Sequence, residues 1–95
     1  LINKGDYDEG VKTLARCIKI NPDDFAAYTM IGIALYNQRD YQKAITFLNK
    51  SIELKVNNTS GYLNRARCYT ALKDYNTALK DLEQAAYYDN NTNPR

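Results

Sequence analysis

Groups able to carry covalent chemistry are scarce in this 95-residue chain. It contains no His, which removes His general bases, hydrolytic triads and His-containing zinc sites from consideration. The two cysteines, Cys17 and Cys68, lack the close CxxC pairing of a metal site and are too few to staple a secreted domain. No catalytic residue, metal or cofactor is therefore expected, and a reducing, cytoplasmic setting is the simpler reading. Nine Tyr could offer stacking platforms for bases. The basic residues show no clustering on one helix face, however, so no nucleic-acid partner is expected. Thirteen Lys plus Arg against eleven Asp plus Glu leave a net charge of +2, which implies no strong electrostatic partner. Asn57-Asn58-Thr59, Asn58-Thr59-Ser60 and Asn90-Asn91-Thr92 fit the glycosylation sequon. In an intracellular chain they read instead as caps and turns.

The elements that must carry these residues are set by length and period. At 10.9 kDa there is room for one small domain. No apolar run approaches the roughly 18 to 20 residues of a membrane span, and the start, Leu1 to Asp6, has no signal-peptide pattern. A first residue of Leu rather than Met suggests a piece of a longer chain. Asp-Tyr recurs at Asp6-Tyr7, Asp40-Tyr41 and Asp74-Tyr75, two steps of 34 residues. Gly10, Ala44 and Ala78 share a phase, as do Val11, Ile45 and Leu79, then Leu14, Leu48 and Leu82, then Cys17, Ser51 and Ala85. Tyr28 stands over Tyr62, and Gly32 over Ala66. A fixed period of this length marks a solenoid of repeated units. The expected division is the C-terminal part of one unit over 1–22, full units over 23–56 and 57–90, and a polar, frayed tail over 91–95.

Apolar spacing of three and four, as in Tyr41, Ala44, Ile45, Leu48 and Ile52, predicts helices over about 7–20, 24–37, 41–54, 58–71 and 75–88. Residues 1–4 read as the last turn of an earlier helix. Asp6, Asp40 and Asp74 are expected as N-caps of the second helix of each unit, and Asp23 and Asn57 as caps of the first. Tyr7, Tyr28, Tyr41, Tyr62 and Tyr75 fall at core positions, and Cys17 and Cys68 at small interior ones. Tyr87 and Tyr88 end the last helix where another unit would stack. The connection Gln38-Arg39-Asp40 is short enough to force antiparallel neighbours, with Gly32, Ala44, Ala66 and Ala78 allowing close approach.

Tyr28-x-x-Ile31-Gly32-x-x-Leu35 with Ala44, Leu48 and Ser51, and Tyr62 to Tyr69 with Ala78, Leu82 and Ala85, resemble the tetratricopeptide repeat. Tyr replaces the family's usual Trp, and its terminal Pro survives only as Pro22. The resemblance implies an all-α, right-handed superhelical solenoid of antiparallel hairpins whose first helices line a concave groove. It also implies a non-catalytic scaffold that binds a peptide or partner subunit. Carried onto this chain, the groove consists of Ala26, Thr29, Ile33, Tyr36 and Asn37, with Ser60, Leu63, Asn64, Arg67 and Thr70. Its weakly charged character suits an apolar or amphipathic segment. A subset of the family clamps chaperone carboxyl tails with Lys, Asn and Arg, and only Asn64 fits here, which disfavours such a tail. Two other readings are an accessory segment of a larger enzyme or assembly, and an RNA-binding helical repeat. The 34-residue step and near-neutral charge count against the RNA reading.

One departure from the register carries its own expectation. Ile31 and Arg65 share a phase, and so do Phe47 and Asp81, so both charges replace apolar residues within one unit. Arg65 is expected to pair with Asp81 where Ile31 packs near Phe47, as a structural ion pair rather than a ligand site.

Overall fold

A computed structural model describes residues 4–92, with side chains over residues 10–89. Five helices follow one another: α1 Lys4–Ile20, α2 Phe25–Asn37, α3 Tyr41–Leu54, α4 Thr59–Ala71 and α5 Tyr75–Thr92. No strand occurs among the described residues, and none of their helices is long and apolar enough to cross a membrane. The fold is an all-α helical solenoid.

Each hairpin turn is built from local hydrogen bonds. The Asp40 amide donates to the Leu35 carbonyl at 2.9 Å and the Arg39 amide to that of Tyr36 at 2.9 Å, which closes α2 in a Schellman motif. Arg39 takes the left-handed conformation this needs, with φ of 67°. Asp40 then caps α3, its carboxylate accepting from the Lys43 amide. One residue thus ends one helix and starts the next, so α2 and α3 are joined with almost no loop. The pattern recurs one unit later: Lys73 has φ of 65°, Asp74 donates to Tyr69, and the Asp74 carboxylate accepts from Thr77.

Three expectations need correction. The caps of α2 and α4 are Asp24 and Asn58, not Asp23 and Asn57. A four-residue turn consumes the earlier position, since Asp24 donates to the Asn21 carbonyl and Asn58 to that of Lys55. Helix α1 starts at Lys4, so Asp6 lies inside it rather than at its N-terminal boundary. Helix α5 runs to Thr92, four residues beyond the expected end. The reading of residues 1–4 as the end of an earlier helix fails at Lys4, which opens α1, and that of 91–95 as a frayed tail fails at 91 and 92, which are helical; the rest of both readings lies outside the described residues, as does the side chain of Tyr7.

The core joins α2, α3 and α4 through Ile31, Leu35, Ala44, Ile45, Leu48 and Cys68, with Val11, Leu14 and Ile18 of α1 packed against it. Gly32 allows the closest approach: a Cβ there would stand 2.6 Å from the Cγ of Leu48. Helices α2 and α4 touch, while α1 does not reach α3 and α3 does not reach α5 among the described residues. The stack therefore curves toward the α2–α4 side.

Candidate functional site

On that inner side lie two shallow depressions. One, of about 230 Å³, is lined by Ala26, Met30 and Ile33 of α2 with Asn58 and Ser60 at the start of α4. The other, of about 480 Å³, is lined by Tyr36 of α2, by Leu63, Arg67 and Thr70 of α4, and by Leu82 of α5. Helical spacing explains the grouping, because residues three and four apart share a face. Ile33, Tyr36, Ser60, Leu63, Arg67 and Thr70 are thus brought together around this surface, and Arg67 is the one charged side chain lining either depression. Asn37 is exposed but lines neither.

Thr29, which also lines the first depression, and Asn64 are both engaged in hydrogen bonds within the fold. Thr29 is 6% exposed. Its hydroxyl donates to the Phe25 carbonyl, bonds the Ser51 hydroxyl and accepts from the Asn58 amide. Asn58 also donates to Ser51 at 2.6 Å, so the cap of α4 is latched to both helices of the preceding hairpin. Asn64 is buried, and its amide donates to the Ser60 carbonyl at 2.8 Å and to the Ser60 hydroxyl at 3.3 Å, which engages its donors within α4. Met30, 55% exposed, and Leu82 were missed. Met30 could have been found from the Ala26, Met30, Ile33 spacing. Leu82 shares the phase of buried Leu48, so its register pointed the wrong way.

Arg65 and Asp81 meet across α4 and α5. The Arg65 Nε donates to Asp81 Oδ2 at 2.9 Å and its Nη2 to Oδ1 at 2.6 Å, a two-point pairing. Its Nη1 donates to Asn49 on α3 at 2.8 Å, so one guanidinium joins both hairpins. The bond to Asp81 raises the Arg65 pKa further. Beside it, burial raises that of the Tyr62 phenol, with Tyr88 adding to the effect from its stacked position 5.7 Å away.

Other expectations fall. Cys17 is exposed, whereas its phase-mate Ser51 is buried between α2 and the cap of α4. Tyr75 is 61% exposed for want of a cover on α5. Lys12, Arg16 and Lys19 do gather on one side of α1, around a depression of about 540 Å³, which corrects the reading that basic residues are scattered. Cys68 is buried, and both cysteines are free thiols.

Residues 3–85 match the family model described as "Anaphase-promoting complex, cyclosome, subunit 3". The chain belongs to that tetratricopeptide-repeat family. Among curated relatives of this repeat chain, heat shock protein STI1 of Saccharomyces cerevisiae is 40% identical over 60% of the chain and 10% of its own length. Anaphase-promoting complex subunit 3 of Schizosaccharomyces pombe is 28% identical over 87% of the chain and 12% of its own length. The chain thus spans about a tenth of these relatives. A solved structure of the TPR2B domain of yeast Sti1 in complex with pHsp70 superposes with a TM-score of 0.86 at 32% identity, covering 90% of this chain and 69% of that one. That complex runs against the expectation that a chaperone tail is a disfavoured partner: absence of a clamp in a few repeat positions is not a basis for exclusion when so similar a domain is bound in this way.

Proposed function

We propose that this chain is a protein-interaction module that holds an apolar or amphipathic segment of a partner protein along the α2–α4 face. The observation that carries the reading is the continuity of Met30, Ile33, Tyr36 and Leu63 across two helices, with Arg67 as a lone cation at one end. Such a surface offers burial of apolar area for affinity and one charge for orientation. Relatives solved with pHsp70 and with the HSP90 peptide SRMEEVD support a peptide partner as a class.

The test is partner capture by the intact protein, set against Ile33→Asp and Leu63→Asp variants whose circular dichroism is unchanged. Loss of the same partner in both is the expected result. Unaltered capture moves the interaction off this face. Titration with labelled SRMEEVD separates an acidic tail from an apolar segment, since an apolar ligand competes with it only if both use the same depressions.

The same face also serves a second reading, in which the chain holds a place inside a larger enzyme or assembly. The match to the anaphase-promoting complex subunit 3 model favours it. No catalysis by these residues enters either reading.

A further inference from the structure

The two depressions on the α2–α4 face follow one another along the cleft between those helices. The smaller lies at the start of both and the larger further on: the step from Thr29 to Tyr36 on α2, and from Ser60 to Arg67 on α4, is seven residues each time. At about 1.5 Å per residue the two sit roughly 10 Å apart. Residues i and i+7 of another helix stand the same distance apart on one face, so a helix laid along the cleft reaches both. The smaller depression, about 230 Å³ between Ala26, Met30 and Ile33, suits one aliphatic side chain. The larger, about 480 Å³ beside the Tyr36 ring and Leu63, suits an aromatic one.

The polar groups of this face select against an extended segment, which needs main-chain partners on the surface that holds it. Thr29, Asn58 and Asn64 spend their donors within the fold, and the Thr70 hydroxyl donates to the Ala66 carbonyl. An α-helix closes its own backbone bonds and asks for none of these. Charge marks the two ends of the cleft. Among the described residues no acidic side chain lines either depression. Arg67 lines the larger, and the Lys55 ammonium lies 4.6 Å from the centre of the Phe25 ring, which borders the smaller. Of the acids that precede Phe25, Asp23 lies in the turn, and Asp24, half-buried, gives its carboxylate to the Ala27 amide. An apolar track with a cation toward each end complements a segment that carries the opposite sign at those places. We propose, resting on the interaction assigned to this face above, that the segment held there is an amphipathic α-helix of a partner protein lying along the α2–α4 cleft, with an aliphatic residue, an aromatic residue seven positions on, and a carboxylate within one turn of each.

The probe is a fluorescein-labelled peptide of alanine and glutamine, stapled into a helix on its outer side, with leucine, phenylalanine seven residues on, and a glutamate one turn outside each. It is titrated against the 95-residue chain by fluorescence anisotropy. One comparison peptide has the phenylalanine moved two residues along, off the shared face. Another has the same composition without the staple and with two central prolines, which forbid the helix. The helical peptide should bind at least tenfold tighter than either. Ile33→Asp should abolish its binding, and Lys55→Glu and Arg67→Glu should each weaken it severalfold. Lysines in place of the peptide's glutamates should restore affinity for the double charge variant, a rescue that a structural role would not give. Lys55 and Arg67 are exposed, so these variants keep their fold, which circular dichroism checks. Equal affinity of the helical and proline-broken peptides, indifference to the place of the phenylalanine, or binding that neither charge reversal alters overturns the proposal. Partner capture by the intact protein separates this failure from that of the face itself. If Ile33→Asp loses the partner while no stapled peptide binds, the face holds a segment of another form; if capture survives Ile33→Asp, the face is not the site.

Discussion

The α2–α3 and α4–α5 hairpins share a backbone plan and differ in what fills it. In the first, Ile31 is 1% exposed in an apolar cluster, and Phe47 packs against that cluster. In the second, the same two phases hold Arg65 and Asp81, paired at two points and tied through Asn49 to the first hairpin. The register sets where side chains meet, and the chemistry of the meeting is free to change if both partners change. Dispersion and desolvation hold the first contact, so it tolerates loss of a few atoms in proportion to their number. Orientation and charge hold the second, so loss of either partner leaves the other in a place that suits no lone ion.

That asymmetry has its largest consequence at Arg65. Arg65→Ala strands Asp81, which is 4% exposed, and should cost about 3 to 5 kcal/mol in urea unfolding. Arg65→Ile with Asp81→Phe, which transplants the first hairpin's pair, should recover most of that loss. A single substitution costing under about 1 kcal/mol would mean that the two charges are merely solvated neighbours.

The two hairpins also differ in cover, which Leu48 and Leu82 report from the same phase. Leu48 is fully buried, and Leu48→Ala should cost about 3 kcal/mol through lost transfer energy and the cavity left behind. Leu82→Ala should cost less than about 1 kcal/mol, because the side chain is 45% exposed. Equal costs in thermal or urea melts would show that the α5 face is covered in solution.

Gly32 and Ala66 sharpen the same contrast. Gly32→Ala drives a methyl against Leu48, which the core holds from every side, and should cost about 1 to 3 kcal/mol despite the gain in helix propensity. Ala66 already carries that methyl, and Leu82 beside it has open space into which to move. Ala66→Gly should therefore lose only about 1 kcal/mol of propensity. If Gly32→Ala were neutral in urea unfolding, α2 and α3 would have to be free to part.

Most of the fold was legible because three signals agreed: a fixed step, helical spacing within each step, and turn residues between. The Arg65–Asp81 pair was legible because its two departures from the apolar phase fall in one unit. What was not legible had a common cause, since a phase states which way a residue points and says nothing of what stands opposite. Cys17 and Leu82 share phases with buried Ser51 and Leu48, and Tyr75 with half-buried Tyr41, yet all three are exposed. Thr29 and Asn64 point toward the groove side, but partners within the fold engage the Thr29 hydroxyl and the Asn64 amide donors. The caps slipped by one residue because two polar residues in tandem, Asp23-Asp24 and Asn57-Asn58, satisfy the same sequence rule, and only the turn geometry selects the second.

The smallest effect separates the two cysteines, one on an exposed side of α1 and one inside the α4 packing. Burial pushes the Cys68 thiol up to about 11, while Cys17 is exposed. Below pH 8.5 or so a thiol is protonated both folded and unfolded, and Cys68 then adds no pH dependence. As pH rises past that range the unfolded thiol ionises first, so the unfolded state gains and stability falls until the folded thiol also ionises near 11. At pH 10 this should amount to about 1 kcal/mol relative to pH 7. Unfolding of the wild type against Cys68→Ala isolates it, since Tyr and Lys titrate in both and only the thiol is missing from one. A matching difference should appear in alkylation at pH 8, with Cys17 labelled promptly and Cys68 only as fast as the chain opens. Equal labelling rates would mean that α4 leaves its seat readily, and the latch from Asn58 to Thr29 and Ser51 would then be too weak to hold the two hairpins in one stack.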